Sequence, residues 1–116
     1  MSISKETMEW ATNKLRTAEK NVVDTIRKFW GEYVSGINII DENVEYGTFT
    51  IQFRLYDKSD IHAEYERSTL GFYIKSKGEY VRLSKFDDTV FRGLSSYKPE
   101  SVAHNIGILD RIVRKM

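Results

Sequence analysis

The chain has no cysteine, a single proline, and no apolar run approaching the roughly 18 residues that a membrane-spanning helix needs. The lack of cysteine excludes a disulfide framework, a thiolate nucleophile and any zinc site built on sulfur. It fits a reducing compartment. The opening "MSISKETMEW" lacks the basic and then apolar pattern of a secretory leader, so a cytoplasmic protein is expected. With Pro99 as the only proline, no Pro-rich hinge or linker divides the chain. A large excess of one charge is also absent. The formal net charge is +1, and the basic surplus that usually accompanies nucleic-acid binding is missing.

The sequence also lacks the linear signatures of common chemistries: a Gly-rich phosphate loop, a G-x-S-x-G elbow and an H-E-x-x-H helix. No catalytic residue is assigned, and the chain is not expected to be an enzyme.

What is present is a chain of 116 residues, 41% hydrophobic and 30% charged, enough for one core and too short for two. A single domain spanning 1–116 is expected. The charges are unevenly spread. The segment from Asp41 to Glu66 carries a balance of −5, and the half from Arg67 to Met116 a balance of +5. Such a layout can present two patches of opposite sign to partners, or interleave and cancel across neighbouring strands.

Between Ser4 and Val34, apolar residues recur at steps of three and four: Met8, Ala11, Leu15, Ala18, Val22, Ile26, Phe29 and Tyr33. This is the stripe of an amphipathic helix, with Ser4 as N-cap and Gly36 as the stop. Unbroken, it would be about 45 Å long, longer than a small domain is wide. It must therefore break near "EKNVVD" or overhang the sheet, leaving Trp10 near its free end for another protein or a second copy of the chain.

After Gly36 the period changes to two. "INII" before a turn-like "DEN" suggests a short strand, and "TFTIQFRLY" alternates Phe49, Ile51, Phe53 and Leu55 against Thr50, Gln52, Arg54 and Tyr56. A turn at "DKSD" leads into "SDIHAEYERST", and "TLGFYIKSKGEYVRL" reads as two strands joined at Lys77-Gly78. "TVFRGLS" suggests a further strand or helical turn. The last element, from Pro99, spaces Val102, Ile106, Leu109, Val113 and Met116 as a helix with a basic end.

The expected fold is α+β: a long N-terminal helix, an antiparallel meander of four to five strands and a C-terminal helix, with both helices packed on one sheet face. In element order it resembles the cystatin-like and other cone-shaped α+β folds, which keeps open a small-ligand or hydrolytic function in a pocket between helix and sheet.

"SDIHAEYERST" places Asp60, His62, Glu64 and Glu66 on one side of a strand. One strand supplies at most two ligands at a spacing of roughly 6.6 Å, and the other histidine, His104, belongs to a helix expected on the opposite face. Neither a metal nor a cofactor is assigned. Cross-strand pairing of these acids with Arg54, Lys75 and Arg82 explains the pattern without chemistry. His104 is read as a structural histidine bonded to a neighbouring carboxylate or carbonyl.

The residues expected to contact a partner are Arg54, Tyr56, His62, Glu64, Tyr73, Tyr80 and Arg82 on the outward sheet face, with Trp10 on the helix. Exposed Tyr and Arg suit a protein interface or, alternatively, a base-stacking surface for nucleic acid. A protein partner is favoured because the acids of the same stretch would repel phosphates. The expected function is that of a small binding module, such as a bacterial or phage-encoded inhibitor, immunity or accessory protein.

Overall fold

The computed structural model describes residues 4–66, 69–90 and 99–116. Helix α1 (Lys5–Trp30) is followed by a 3₁₀ turn at Gly31–Tyr33 and by strands β1 (Val34–Asn43), β2 (Thr48–Leu55), β3 (Ser59–Glu66), β4 (Thr69–Ser76) and β5 (Glu79–Arg82). A 3₁₀ turn at Leu83–Lys85 and helix α2 (Pro99–Lys115) complete the order. The strands form one antiparallel meander in the order β1-β2-β3-β4-β5. The expected α+β architecture is the one observed.

Helix α1 begins where the sequence indicates, with the Ser4 hydroxyl accepting from the Thr7 backbone N–H at 3.2 Å. It ends earlier than expected. Gly31, at φ +55°, rather than Gly36, caps it, its N–H bonding to the Arg27 carbonyl. The helix does not break at "EKNVVD". Its 26 residues span about 39 Å, and residues 4–10 are exposed at the free end. Arg16 reaches Glu42 at 3.1 Å, near the far end of β1, so α1 runs antiparallel to that strand and its first turns project beyond it.

Both helices bury their stripes on the same sheet face. Leu15, Val22, Ile26 and Trp30 of α1 and Val102, Ile106, Leu109 and Val113 of α2 join Phe49, Ile51, Phe53, Leu55, Ile61, Ala63, Phe72 and Ile74 in one core. The stripe of α1 differs from the expected one at its end: Trp30 is buried, while Phe29 and Tyr33 are about half exposed. An α-helix advances 100° per residue, so a stripe extrapolated over seven turns drifts off the buried face. Met116, beyond the end of α2, is likewise exposed.

The other differences are local. "DEN" lies inside β1, and the chain turns at residues 44–47, where Gly47 takes φ +67°. Lys77 and Gly78 form the expected tight turn, with φ of +52° and +82°, as a two-residue hairpin of right-handed twist requires. Of "TVFRGLS", Thr89 lies in a turn and Val90 in a bend, and the rest is outside the described residues.

Candidate functional site: the outer face of the sheet

Antiparallel register decides which side chains meet. Gln52, His62, Tyr73 and Arg82 align in one row across β2 to β5; Arg54 and Asp60 pair in the adjacent row, which continues as Lys75 opposite Tyr80. On the other side of the central row lie Asp41, Thr50, Glu64 and Gly71. These positions alternate with the core residues and so occupy the face that neither helix covers. The register thus brings together Arg54, His62, Glu64, Tyr73, Tyr80 and Arg82. The strand that bears His62 and Glu64 is central, so it has no free edge for strand addition.

Tyr56 does not belong to this face. It and Asp57 adopt φ of +55° and +52°, so alternation ends at Leu55 and the side chain turns toward the helices. There its hydroxyl donates to Asp110 Oδ1, which also accepts from Trp30 Nε1 at 3.0 Å. Arg114 closes the cluster, with Nε 3.0 Å from Asp110 Oδ2 and 3.1 Å from the Tyr56 hydroxyl. This network ties α1, the β2–β3 turn and α2 together. Burial, then the Asp110 bond, pushes the Tyr56 hydroxyl above the usual tyrosine range. Trp10 is also apart from the sheet face: it is 63% exposed on the projecting end of α1, with Lys14 Nζ 5.0 Å from its ring centroid.

On the outer face, the His62 and Tyr80 rings stack at 3.6 Å with planes 12° apart. They stand on the two strands flanking β4, so they lean toward each other over it and make a flat aromatic ridge. Burial against this ring outweighs the pull of the Glu64 and Asp60 carboxylates and lowers the His62 pKa from its ordinary 6.5. The imidazole is therefore mostly neutral at pH 7. Burial raises the Tyr80 and Tyr73 hydroxyls, Tyr73 also through a bond to Glu64.

The acids of this face are unequal. Asp60 pairs with Arg54 at 3.2 Å, whereas Asp41, Glu64 and Glu66 make no ion pair among the described residues. No group of three or more potential metal ligands occurs among the described residues. His104, on α2, has Nε2 2.9 Å from the Thr89 carbonyl, an ordinary structural contact.

One group escaped the sequence reading altogether. Glu19 falls on the buried side of α1 and is only 3% exposed, with neither carboxylate oxygen hydrogen-bonded. Arg16 Nε is 3.6 Å away and itself holds Glu42 of β1 at 3.1 Å. Burial first, and then the neighbouring Glu42 carboxylate, push the Glu19 pKa up to about 7, against the attraction of Arg16. Glu19 sits four residues after Leu15 and three before Val22, the spacing of the stripe, and that was the available signal.

Among the described residues no helix is long and apolar enough to cross a membrane. Comparison of the chain with protein-family models, with curated proteins and with solved structures gives no significant match, so the site rests on its own geometry.

Proposed function

We propose that the protein is a non-enzymatic, cytoplasmic binding module that docks a protein partner on the outer face of its sheet, as small inhibitor, immunity and accessory proteins do. The observation that carries the reading is the face that the described residues leave uncovered: the His62–Tyr80 stack, Tyr73, Arg54 and Arg82 stand together on regular strands with neither α1 nor α2 over them. Tyrosine and arginine are the residue types that concentrate binding energy at protein interfaces, because they offer large contact area with few rotamers to immobilise.

A nucleic-acid partner is disfavoured by charge. Asp41, Asp60, Glu64 and Glu66 share this face with Arg54, Lys75 and Arg82, so its named charges sum to −1 and phosphates gain nothing from approaching it.

The test is quantitative capture from nuclease-treated host lysate, comparing the wild type with the double variant Tyr73→Ala/Arg82→Ala at low and high salt. The reading expects a protein retained by the wild type and lost by a variant of unchanged melting temperature. Equal retention by both, or capture that disappears with nuclease, refutes it.

A further inference from the structure

Helix α1 is anchored unevenly. Its buried side chains are Leu15, Glu19, Val22, Ile26 and Trp30, so the part after residue 20 rests on three apolar anchors and residues 5–20 on Leu15. An ion pair adds to that single anchor: Arg16, beside Glu19, holds Glu42 of β1 at 3.1 Å. Glu42 lies opposite Phe49 in the β1–β2 register, so the first half of the helix caps the end of the core that Phe49 occupies.

Between the two halves the helix is intrinsically weak. Asn21, Val22, Val23, Asp24, Thr25 and Ile26 follow one another, and all belong to the poorer helix formers, through restricted χ1 rotation or a side chain that competes for the backbone. Packing of Val22 and Ile26, rather than propensity, keeps this stretch helical.

Glu19 sits on the sheet side of the first half. It is 3% exposed, and neither oxygen has a hydrogen bond. Arg16 on its own helix and Glu42 on β1 are the charged groups that act on it. Lys20 turns away to Asp24 at 3.2 Å, and the inward residues of β2 and the buried residues of α2 carry no charge. Protonated, the carboxyl tolerates burial and can donate to Glu42. Ionised, it is a dry charge beside a second carboxylate, with one largely exposed arginine to share. It regains water when the helix lifts from the sheet, and Leu15 is the one fully buried apolar side chain that leaves with it.

We infer that residues 5–20 form an arm whose release from β1 is gated by the proton on Glu19, with residues 21–26 as the pivot. The device is independent of the partner that the outer face takes. Glu19 is raised from 4.5 to about 7 when docked, so the proton's contribution to docking is complete below 4.5 and is lost as pH climbs through 7. Once released, the arm is a helix of marginal length in water and frays, so its amides lose protection.

The test is backbone amide hydrogen exchange of the full chain, followed by NMR from pH 5.5 to 8 and divided at each pH by the unstructured-chain rate. Protection at residues 15–20 should fall about tenfold or more across that range in the wild type, as a linkage of one pH unit or more implies, and stay within about twofold in Glu19→Gln. These amides should also be less protected than those of Phe53 and Ile61 in the core strands and respond little to dilute urea, which marks a local opening rather than global unfolding. Arm and strand amides with one protection and one urea dependence would overturn the proposal, because no separate arm would exist. An equal pH response in wild type and Glu19→Gln would do the same. Should Glu19→Gln fail to fold, Glu42→Gln decides instead: a smaller decline than in the wild type supports the gate, and an unchanged one overturns it.

Discussion

Replacing Glu19 by glutamine should make the protein more stable at neutral pH and leave it nearly unchanged in mild acid. Glu19 is almost wholly buried between α1 and β1, without a hydrogen bond to either oxygen, and faces the Glu42 carboxylate with Arg16 as the cation that both share. Its pKa rises from 4.5 to about 7. A group whose folded pKa is raised binds its proton more tightly in the native state, so its stabilising contribution is complete below the unfolded value. That contribution is lost as pH climbs from 4.5 through 7. At 1.36 kcal/mol per pH unit the full span corresponds to roughly 3 kcal/mol. Arg16 is largely exposed and Glu42 partly so, and their freedom to rearrange reduces the expected loss to about 1–3 kcal/mol.

Urea unfolding at pH 5, 6, 7 and 8 reads this directly. The wild-type midpoint should decline across the series relative to Glu19→Gln, with equal slopes for the two proteins, and the gap should level off above pH 7–8. Glu42→Gln should remove part of the repulsion, lower the Glu19 pKa, and so make the decline smaller and complete at lower pH. Parallel pH profiles for wild type and Glu19→Gln would refute the reasoning, since they would mean that the carboxyl finds water or a partner when ionised.

Two further substitutions separate the faces of the sheet. Phe53→Ala, in the core at 1% exposure, should cost about 3–5 kcal/mol, while Tyr73→Ala and Arg82→Ala should each stay within about 0.5–1 kcal/mol by thermal melting; similar losses at all three would mean that the faces are assigned the wrong way round. Tyr56→Phe should cost about 1–2 kcal/mol, because it removes one donor from Asp110 while leaving Trp30 and Arg114 in place. A neutral result there would show that the cluster holds α2 without the tyrosine hydroxyl.

The parts of this fold legible in the sequence are those governed by a short period. Alternation over Phe49 to Leu55, repeated in β3 and β4, assigned the inner and outer faces, and with them six of the eight expected contact residues, because a strand's side-chain period is two whatever its neighbours do. Tyr56 was lost at the one step where the period ceased to apply. It lies one residue beyond the strand, and its left-handed backbone is stabilised by Asp110 and Arg114, more than fifty positions away. Glu19 was missed for a related reason: a carboxylate on an apolar stripe reads as a boundary residue until the strand that covers it is known. The outward row of Asp41, Thr50, Glu64 and Gly71 was invisible because it is made by register, which sets these residues side by side from four strands.

The edges of the sheet bear on how a partner can engage it. An edge strand offers unpaired backbone groups as a template for another chain, but both edges here are poor templates. β5 has only four residues, and β1 is interrupted by register shifts between Ser35 and Asn38 and between Ile39 and Asp41, with Gly36 at φ +61° inside the first. Such irregularities re-aim the N–H and C=O groups and increase local twist, so a straight incoming strand cannot keep its ladder. The β2–β3 register is unbroken from Phe49 to Leu55, and the face it presents is regular. A partner therefore gains more from side chains laid across that face than from a shared backbone ladder. On the proposed docking reading, recognition therefore depends on the identity of single residues such as Tyr73 and Arg82 rather than on the bulged edge.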